Sequence, residues 1–297
     1  MAVVGANTLF EPRVVGEMIN LVTGSSALAR MSGARPIEFT GQREFTFSLD
    51  NEVDLVGENQ PKSPGGATVT PVTIVPVKVE YSARFSDEFM HAEEEAQLRT
   101  LMTFAEGFAR KVARGIDLMA LQGINPRGGQ KADLLTNKNF ADLVDQTVTI
   151  QSGALADASI DAAIAMVQGS GFDVDGLIMS PELRTALSNQ TENGVRTYPE
   201  LAWGKTPDEI KGIRTATTTA ITANNANARG LVGDFERYFR WGYAGEIPIE
   251  IIEYGNPDND TVQGDLKGRN QILMRGEAYI GWGILAPDAF AWIEAGT

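Results

Sequence analysis

Apolar and polar residues alternate along two segments in the first third of the chain. The first segment carries Phe45, Phe47, Leu49, Val53 and Leu55, and the second carries Val75, Val77, Val79 and Tyr81. The stretch 57–66 between them is rich in glycine, proline and polar residues. The pattern predicts a long β-hairpin whose tip cannot build a core. Because an isolated two-stranded ribbon is at best marginally stable in water, we expect this one to lie on another molecule, as in an assembly subunit.

A helical period follows the second segment directly. Ser86 predicts the N-cap, with Asp87 and Glu88 in the first turn, and Gly123 predicts the end. The apolar positions recur with a period of about 3.6 residues. They are Leu98, Leu101, Met102, Ala105, Phe108, Ala109, Val112, Ile116, Met119 and Ala120. The sequence therefore predicts one very long amphipathic helix.

Charged side chains are ordered along this helix. Acidic residues occupy Glu93–Glu95 and basic residues occupy Arg110, Lys111 and Arg114, an order that is favourable in the field of the helix dipole. We interpret these charges as a solvated face. The alternative is a charged seam against a neighbouring subunit, with Arg99, Arg110 and Arg114 as the contact residues.

The first residues, from Met1 to about Pro36, are rich in glycine and weakly patterned. A short amphipathic helix is predicted from Glu11 to Val22. We interpret the whole region as an arm that packs on something else.

The chain changes character after Gly123. A short buried strand at Gly176–Met179, followed by a helix that Ser180 opens, indicates an α/β region. Near the C-terminus, alternation at Ile247, Ile249 and Ile251 and again over 272–284 predicts a second β-pair. A polar, glycine-rich connection over 255–269 joins its strands.

The composition of the chain excludes several kinds of functional site and partner. The chain has 297 residues, no cysteine and a formal net charge of −14. The absence of cysteine excludes disulfides, thiolate metal sites and cysteine nucleophiles. The acidic balance opposes general binding to phosphate backbones, although an acidic wall would let DNA slide past. Neither an apolar run of about 18–20 residues that could span a bilayer nor a signal peptide occurs, so we expect synthesis in a cytoplasm and no membrane partner.

Candidate motifs for catalysis and ligand binding are weak. His91 is the only histidine, and we interpret it as a solvated side chain. Gly281-Trp282-Gly283 sits inside an alternating strand, so its glycines indicate a close approach by something bulky rather than a dinucleotide site. Asn256, Asp258 and Asp260 have the spacing of a calcium loop without its glycine or final glutamate; we interpret them as a solvated turn, with weak cation binding left open. We expect no catalytic residue, metal or cofactor.

Several short motifs follow one another along most of the chain. They are Val56-Gly57-Glu58 with Pro61 and Lys62, Val77-Lys78-Val79 leading to Arg84-Phe85-Ser86-Asp87-Glu88, Ala113-Arg114-Gly115-Ile116-Asp117 with Leu121-Gln122-Gly123, Ile178-Met179-Ser180-Pro181 with Leu183, Gly233-Asp234-Phe235, Arg275-Gly276-Glu277, and Ala286-Pro287-Asp288-Ala289-Phe290. In this order and spacing they resemble the major capsid proteins of tailed bacteriophages, which have the Hong Kong 97 fold. The resemblance implies an α+β fold with an N-terminal arm, an extended β-hairpin loop, a peripheral domain with a long spine helix, and an axial α/β domain.

The resemblance also implies domain bounds. They are an N-terminal arm at 1–38, the extended loop and flanking strands at 39–84, a peripheral domain at 85–122 and 247–280, and an axial domain at 123–246 and 281–297.

The implied function is structural rather than enzymatic. Copies of the chain are expected to form pentamers and hexamers of an icosahedral shell, which encloses double-stranded DNA without sequence-specific binding. The expected location is the virion, after assembly in the host cytoplasm. The predicted latch between subunits consists of Gly57, Glu58, Pro61, Lys62, Gly65 and Gly66.

Partners and covalent links follow from the same resemblance. Some members of the family cross-link a loop lysine to an asparagine of a neighbour, for which Lys62 with Asn256 or Asn259 is the candidate pair; non-covalent latching is the default. Members often carry an N-terminal scaffolding segment, and here the arm begins almost at Met1. The resemblance therefore implies a separate scaffold protein, or none; we expect a separate scaffold protein and a portal as partners.

Two other functions stay open at this point. The first is an encapsulin-type nanocompartment, whose shell has the same fold and encloses a cargo enzyme instead of a genome. The second, less favoured, is a soluble α+β enzyme or binding protein.

Overall fold

The computed structural model describes residues 12–49, 51–151, 155–245 and 249–296. Helices and strands are interspersed throughout, as the α+β prediction requires. Residues 1–11 of the predicted arm and Ile247 of the predicted second β-pair lie outside the described residues.

The helices of the described residues are α1 (Pro12–Ser25), α2 (Ala27–Met31), α3 (Glu94–Gln122), α4 (Phe140–Leu143), α5 (Ala156–Gly169), α6 (Pro181–Asn189) and α7 (Phe235–Tyr238). The strands are β1 (Gln42–Leu49), β2 (Ala67–Ile74), β3 (Val77–Ser86), β4 (Thr147–Ile150), β5 (Gly176–Met179), β6 (Thr191–Glu192), β7 (Val195–Arg196), β8 (Glu209–Ile210), β9 (Ile213–Thr217), β10 (Ala228–Gly233), β11 (Phe239–Tyr243), β12 (Ile249–Ile252), β13 (Gln271–Ile284) and β14 (Phe290–Ala295).

The 14-residue strand β13 organises a four-stranded antiparallel sheet. Its residues 273–276 pair with β12, and its residues 280–284 pair with β11. Its residues 271–280 pair with β3. Because residues 273–276 pair with β12 and β3 at once, these two strands must lie on opposite edges of β13. The predicted second β-pair is thus confirmed for Ile249 and Ile251.

The long helix α3 covers this sheet. Phe108 of α3 lies so close to Gly276 of β13 that an added Cβ there would be 3.1 Å from the ring. Leu101, Ala105, Phe108 and most of the predicted apolar stripe are buried, whereas Leu98 and Met102 stay exposed. Gly123, in the left-handed conformation at φ 65°, ends the helix as predicted.

The start of α3 was predicted wrongly. Ser86 does act as a cap, since its hydroxyl accepts the N–H of Glu88 at 3.3 Å. The segment that it caps is a single 3₁₀ turn, Asp87–His91, which ends at the extended residue Ala92. The α-helix begins only at Glu94.

A six-stranded mixed sheet forms the second layer, in the order β4-β14-β10-β5-β9-β8. Its strand β5 is buried along its whole length, and α5 and α6 pack against the sheet through Val167, Leu183 and Leu187. Ser180 caps α6 by accepting the N–H of Leu183 at 3.1 Å, with Pro181 in the first turn. The strand-to-helix step predicted from the sequence is therefore confirmed.

A β-hairpin forms as predicted, but its second strand is not made of the residues that were predicted for it. β1 pairs with β2, from Gln42 opposite Ile74 to Leu49 opposite Ala67. The alternating residues Val77, Val79 and Tyr81, which were assigned to the second strand, belong instead to β3 and pair with β13. Alternation marks a strand without naming its partner, and here the partner lies far along the chain.

The interpretation of the N-terminal region as an arm that packs on something else is wrong for most of its described part. α1 packs against α3, and Leu28 and Met31 of α2 are buried in the main core. The backbone N–H groups of Arg35 and Ile37 donate to Trp241 and Tyr243 of β11 at 2.9 and 3.0 Å. This region therefore adds to the core of its own chain.

Candidate functional site

One face of the β1–β2 ribbon is apolar and open to solvent. Phe45, Phe47 and Leu49 on this face are 61%, 65% and 71% exposed. Their cross-strand partners Pro71, Val69 and Ala67 belong to the same face, because directly opposite residues of paired strands point the same way. The described residues thus leave a continuous apolar surface without a covering layer, a feature that marks contact sites.

The base of the ribbon is held firmly. Ile74, which is 2% exposed, packs over Gly281 and Gly283 of β13. A Cβ added at Gly283 would lie 2.7 Å from Ile74, and one at Gly281 would lie 3.0 Å from Ile37 and Ile74. The interpretation of these glycines as a place of close approach is therefore confirmed, and the close contact fixes the direction in which the ribbon leaves the body.

The ribbon tip, residues 51–66, is exposed throughout. Val53 and Leu55 are 95% and 98% exposed. The internal contacts of the tip include a turn in which the N–H of Gln60 donates to the Gly57 carbonyl at 3.2 Å and a hydrogen bond from the Ser63 hydroxyl to Asp54. The tip is therefore accessible to a partner, and few internal contacts would have to change on binding.

The six predicted latch residues Gly57, Glu58, Pro61, Lys62, Gly65 and Gly66 all lie in this exposed tip. A Cβ added at Gly65 would meet nothing within 4 Å, so the tip has room for movement there. Their role as a latch stays a prediction.

The three arginines predicted as contacts of the long helix are in different situations. Arg99 pairs with Glu95 at 3.1 Å, and Arg110 pairs with Glu106 at 3.8 Å, each one turn away on the exposed face. The Arg114 guanidinium donates to the Thr219 hydroxyl at 2.9 Å. The intrahelical pairs fit the solvated-face interpretation; the contact role of all three stays a prediction.

The connection between β12 and β13 is organised by Arg84 of β3. The Arg84 guanidinium donates to both carboxylate oxygens of Asp258 at 2.8 and 2.5 Å, and also to Asn256 and the Gly264 carbonyl at 2.8 Å each. This bidentate pair lowers the pKa of Asp258 to about 2. The exposure of Asn256 and Asp258 fits the interpretation of a solvated turn, whereas the guanidinium occupies the centre where a bound cation would have to sit. Among the described residues no group of three or more histidine and acidic side chains is arranged to hold a metal ion.

Sequence reasoning missed two exposed features. Trp203 is 99% exposed and holds a left-handed backbone at φ 58°, which is unusual for a bulky residue. The second is a cleft of about 620 Å³ beside β3, between α3 and the 125–135 segment. The basic residues of that cleft come from three separate segments, so no local pattern could reveal it.

None of the helices in the described ranges combines the length and the apolarity that a crossing of the bilayer requires.

Comparison with known proteins identifies a family and related structures. The model of the "Phage capsid family" matches residues 7–295. A solved structure from Mycobacterium phage Ogopogo is 32% identical, covers 92% of each chain and has a TM-score of 0.76. One from Gordonia phage Cozz is 21% identical, covers 91% of this chain and 86% of its own, and has a TM-score of 0.73. No curated protein matches the chain.

More distant similarity extends to another particle. A capsid chain of an empty GTA particle is 13% identical, covers 92% of this chain and 90% of its own, and has a TM-score of 0.65. At this identity, as for the Cozz structure, the similarity shows the fold.

Proposed function

Since this chain belongs to the phage capsid family and is a structural major capsid protein of the virion, we propose that its copies form an icosahedral shell of pentamers and hexamers around double-stranded DNA. Assembly into a shell of many subunits follows from the family. The symmetry, the DNA and the further partners are the proposed part.

The observation that supports ribbon-mediated assembly most directly is the uncovered apolar face at Phe45, Phe47 and Leu49. Apolar area gains roughly 25 cal/mol for each Å² removed from water. A two-stranded ribbon cannot bury this face on itself. A neighbouring subunit that covers the ribbon would supply the missing burial.

The contact between ribbon and neighbour is heterologous, because the ribbon of one copy lies on a different surface of the next. Heterologous contacts close into rings when the rotation between copies permits it. Each subunit would place its ribbon on one neighbour and be covered by the ribbon of another. Modest contacts would therefore add up around a ring and across the shell. The exposed tip glycines Gly57, Gly65 and Gly66 would let the same ribbon adopt slightly different angles in pentamers and hexamers.

We propose the domain bounds inferred from the sequence, with a change in the assignment of two strands. β3 and β11 are hydrogen-bonded to β13. We assign both strands, together with α3, to the peripheral domain. The six-stranded sheet with α5 and α6 would then form the axial domain.

Partners beyond the shell are also proposed. The net charge of −14 supports an inner wall that encloses DNA without binding its sequence. A scaffold protein, a portal and assembly in the host cytoplasm complete the proposal. The family match favours this interpretation over the nanocompartment and over the soluble enzyme.

Deletion of residues 57–66 tests the proposal. The subunits should stay folded by circular dichroism and should fail to form particles in negative-stain images. A matched variant, in which the same stretch is replaced by glycine and serine at equal length, separates the need for the tip sequence from the need for its length. Normal particles from the deletion would contradict the role of the ribbon.

Purified virions show what the particles enclose and whether their subunits are covalently linked. Nuclease-resistant DNA inside them supports the capsid function, whereas a protein cargo without DNA supports the nanocompartment. Denaturation in SDS should release free chains of 32.0 kDa. A ladder of multimers would instead reveal covalent links such as Lys62 to Asn256 or Asn259.

A further inference from the structure

We propose that the indole of Trp203 binds a second copy of the chain, in a cleft that Arg184 and Arg196 of that copy line. This inference rests on the proposed function, since it names a contact between subunits of one ring. It is carried by the strained backbone and full exposure of Trp203, and by two arginines that have no ion-pair partner among the described residues.

Trp203 occupies a turn that its residue type disfavours. The N–H of Lys205 donates to the Ala202 carbonyl at 3.4 Å, and φ is 58° at Trp203 and 79° at Gly204. Two consecutive positive φ values are those of a type I′ turn, in which asparagine or aspartate usually precedes the glycine. A bulky aromatic residue is strained there. Such strain is typical of positions where the side chain has a function.

The turn is held in place from behind. The Arg184 guanidinium of α6 donates to the Gly204 carbonyl. Leu201, two residues before Trp203, is 1% exposed and packs in the core of the six-stranded sheet, whereas Trp203 is 99% exposed. The fold therefore fixes the backbone and presents the whole indole to solvent. A rigid aromatic side chain presented in this way loses little conformational entropy when it binds.

A cleft of about 300 Å³ lies beside this turn. Arg184 and Arg196 line it, and no acidic residue is among its described lining residues. Neither arginine forms an ion pair with a described residue, and Nε of Arg184 is buried without a hydrogen-bond partner. Two unpaired guanidinium groups are notable in a chain with 39 acidic and 25 basic residues. The cleft therefore favours an electron-rich ligand.

The face of an indole is such a ligand. It attracts a guanidinium within about 6 Å of the ring centroid. A guanidinium donates its hydrogen bonds in its own plane, so the bond from Arg184 to Gly204 does not use the faces that stack on aromatic rings. The Trp203 of the same chain is too exposed to cover either arginine. The indole that enters the cleft must therefore come from another molecule.

The positions of the tryptophan and the cleft favour a second copy as that molecule. Both lie within residues 184–204. Adjacent copies of a ring bring the same small region into contact only close to the rotation axis. There the indole of each copy would enter the cleft of the next, in a head-to-tail contact that closes the ring.

The four tryptophans make this contact measurable without a label. Trp241, Trp282 and Trp292 are at most 7% exposed, so acrylamide should quench mainly the emission of Trp203 in unassembled subunits. In shells assembled from the purified chain, we expect this quenching to be lost and the emission to shift to shorter wavelength. Trp203→Phe is the control, because it should remove the quenchable emission from the subunits.

Trp203→Asn separates a contact from a role in folding. Asparagine favours this turn, so the Tm of the unassembled subunit should stay the same or rise. The yield of particles should nevertheless fall about tenfold or more. Trp203→Phe keeps an aromatic ring and should assemble better than Trp203→Asn. A side chain that only supported the fold would lower the Tm when replaced.

Arg196 tests the receiving side. It is exposed, and Arg196→Glu should impair assembly as strongly as Trp203→Asn. Lys205→Glu makes the same charge change outside the cleft and should assemble far better.

A mixture of Trp203→Asn and Arg196→Glu chains should form more particles than either variant alone. In mixed rings a copy with an intact tryptophan meets a copy with an intact cleft, which happens in neither homogeneous ring. A general loss of folding would not produce this complementation.

Equal quenching of Trp203 in subunits and shells would overturn the proposal and leave the capsid function standing. Protection in purified virions but not in shells of the chain alone would also overturn it, because another virion protein would then cover the indole. Protection that persists in Arg196→Glu shells would overturn the assignment of the cleft. Failure of the unmodified chain to form any particle would instead remove the function on which the proposal rests.

Discussion

The Asp117 carboxylate of α3 accepts a hydrogen bond from the Ser26 hydroxyl at 2.6 Å, although the two residues are 91 positions apart in the chain. The same carboxylate accepts the N–H groups of Ala27 and Leu28 at 3.0 and 3.1 Å. It thus occupies the N-terminus of α2, where unpaired backbone donors attract an anion. Burial raises the pKa of Asp117, and these hydrogen bonds oppose the rise. A buried carboxylate therefore anchors the N-terminal region to the long helix.

Replacement of this carboxylate should destabilise the subunit strongly. In Asp117→Ala, the Ser26 hydroxyl and two backbone N–H groups lose their acceptor inside the core. Because each buried unsatisfied donor costs about 1–3 kcal/mol, we expect the free energy of unfolding to fall by about 3 kcal/mol or more. Urea denaturation of unassembled subunits measures the change. The exposed Asp145→Ala is the control and should shift the free energy by less than about 0.5 kcal/mol. A small effect at Asp117 would mean that α2 docks without its help.

A glycine in β11 makes room for the segment that follows α2. A Cβ added at Gly242 would lie 1.5 Å from the Arg35 carbonyl oxygen, and backbone cannot move aside as a flexible side chain can. Gly242→Ala should therefore break the hydrogen bonds from residues 35–37 to β11. We expect a loss of about 3 kcal/mol in the free energy of unfolding.

Gly33→Ala is the matched control for Gly242→Ala, because an added Cβ at Gly33 meets nothing within 4 Å. Its free energy of unfolding should stay close to that of the unchanged chain. Faster amide exchange at Arg35 and Ile37 in the Gly242 variant would show the detachment directly. Equal stability of the two variants would contradict the close contact.

Local patterns predicted the elements whose signals lie within a few residues. Ser180 with Pro181 marked the start of α6, and Gly123 marked the end of α3, since caps depend on neighbours in sequence. Ser86 does cap a helical turn as predicted, but a capping residue does not determine how long the following helix is. Only the extended Ala92 shows that this turn ends before α3 begins.

Contacts between distant parts of the chain could not be predicted in the same way. The partner of β3 lies in β13, near the C-terminus, and the anchor of α2 lies in α3. The same distinction between local and distant contacts applies to the features of the candidate site. The apolar ribbon was visible as an alternating pattern, whereas the cleft beside β3 is built from β3, α3 and the 125–135 segment and exists only after folding.

The Arg84–Asp258 pair makes the β12–β13 connection sensitive to acid. The folded-state pKa of Asp258 is lowered from 3.8 to about 2, so its contribution to stability is complete above 3.8 and disappears as pH falls toward 2. Asp258→Asn removes the pair at every pH. We therefore expect the difference in Tm between the unchanged chain and Asp258→Asn to shrink as pH falls through this window.

Measuring the difference cancels the other carboxylates, which titrate in both proteins. The control Asp145→Asn replaces an exposed carboxylate and should have a Tm close to that of the unchanged chain. A constant Tm gap for Asp258→Asn would show that Arg84 does not depend on the ionised carboxylate.

Phe47 separates the stability of the subunit from its ability to assemble. It is 65% exposed in the single chain and contributes to the open face of the ribbon beside Val69. Phe47→Asp should therefore leave the free energy of unfolding of the subunit within about 0.5 kcal/mol of its original value. The same change puts a charge into the surface that a neighbour has to cover, where an unpaired charge is costly. Sedimentation velocity should show subunits or small oligomers in place of particles. Ser48→Asp introduces the same charge one residue away on the opposite face and should assemble far better; particles from Phe47→Asp in normal yield would show that the apolar face of the ribbon is not part of the contact.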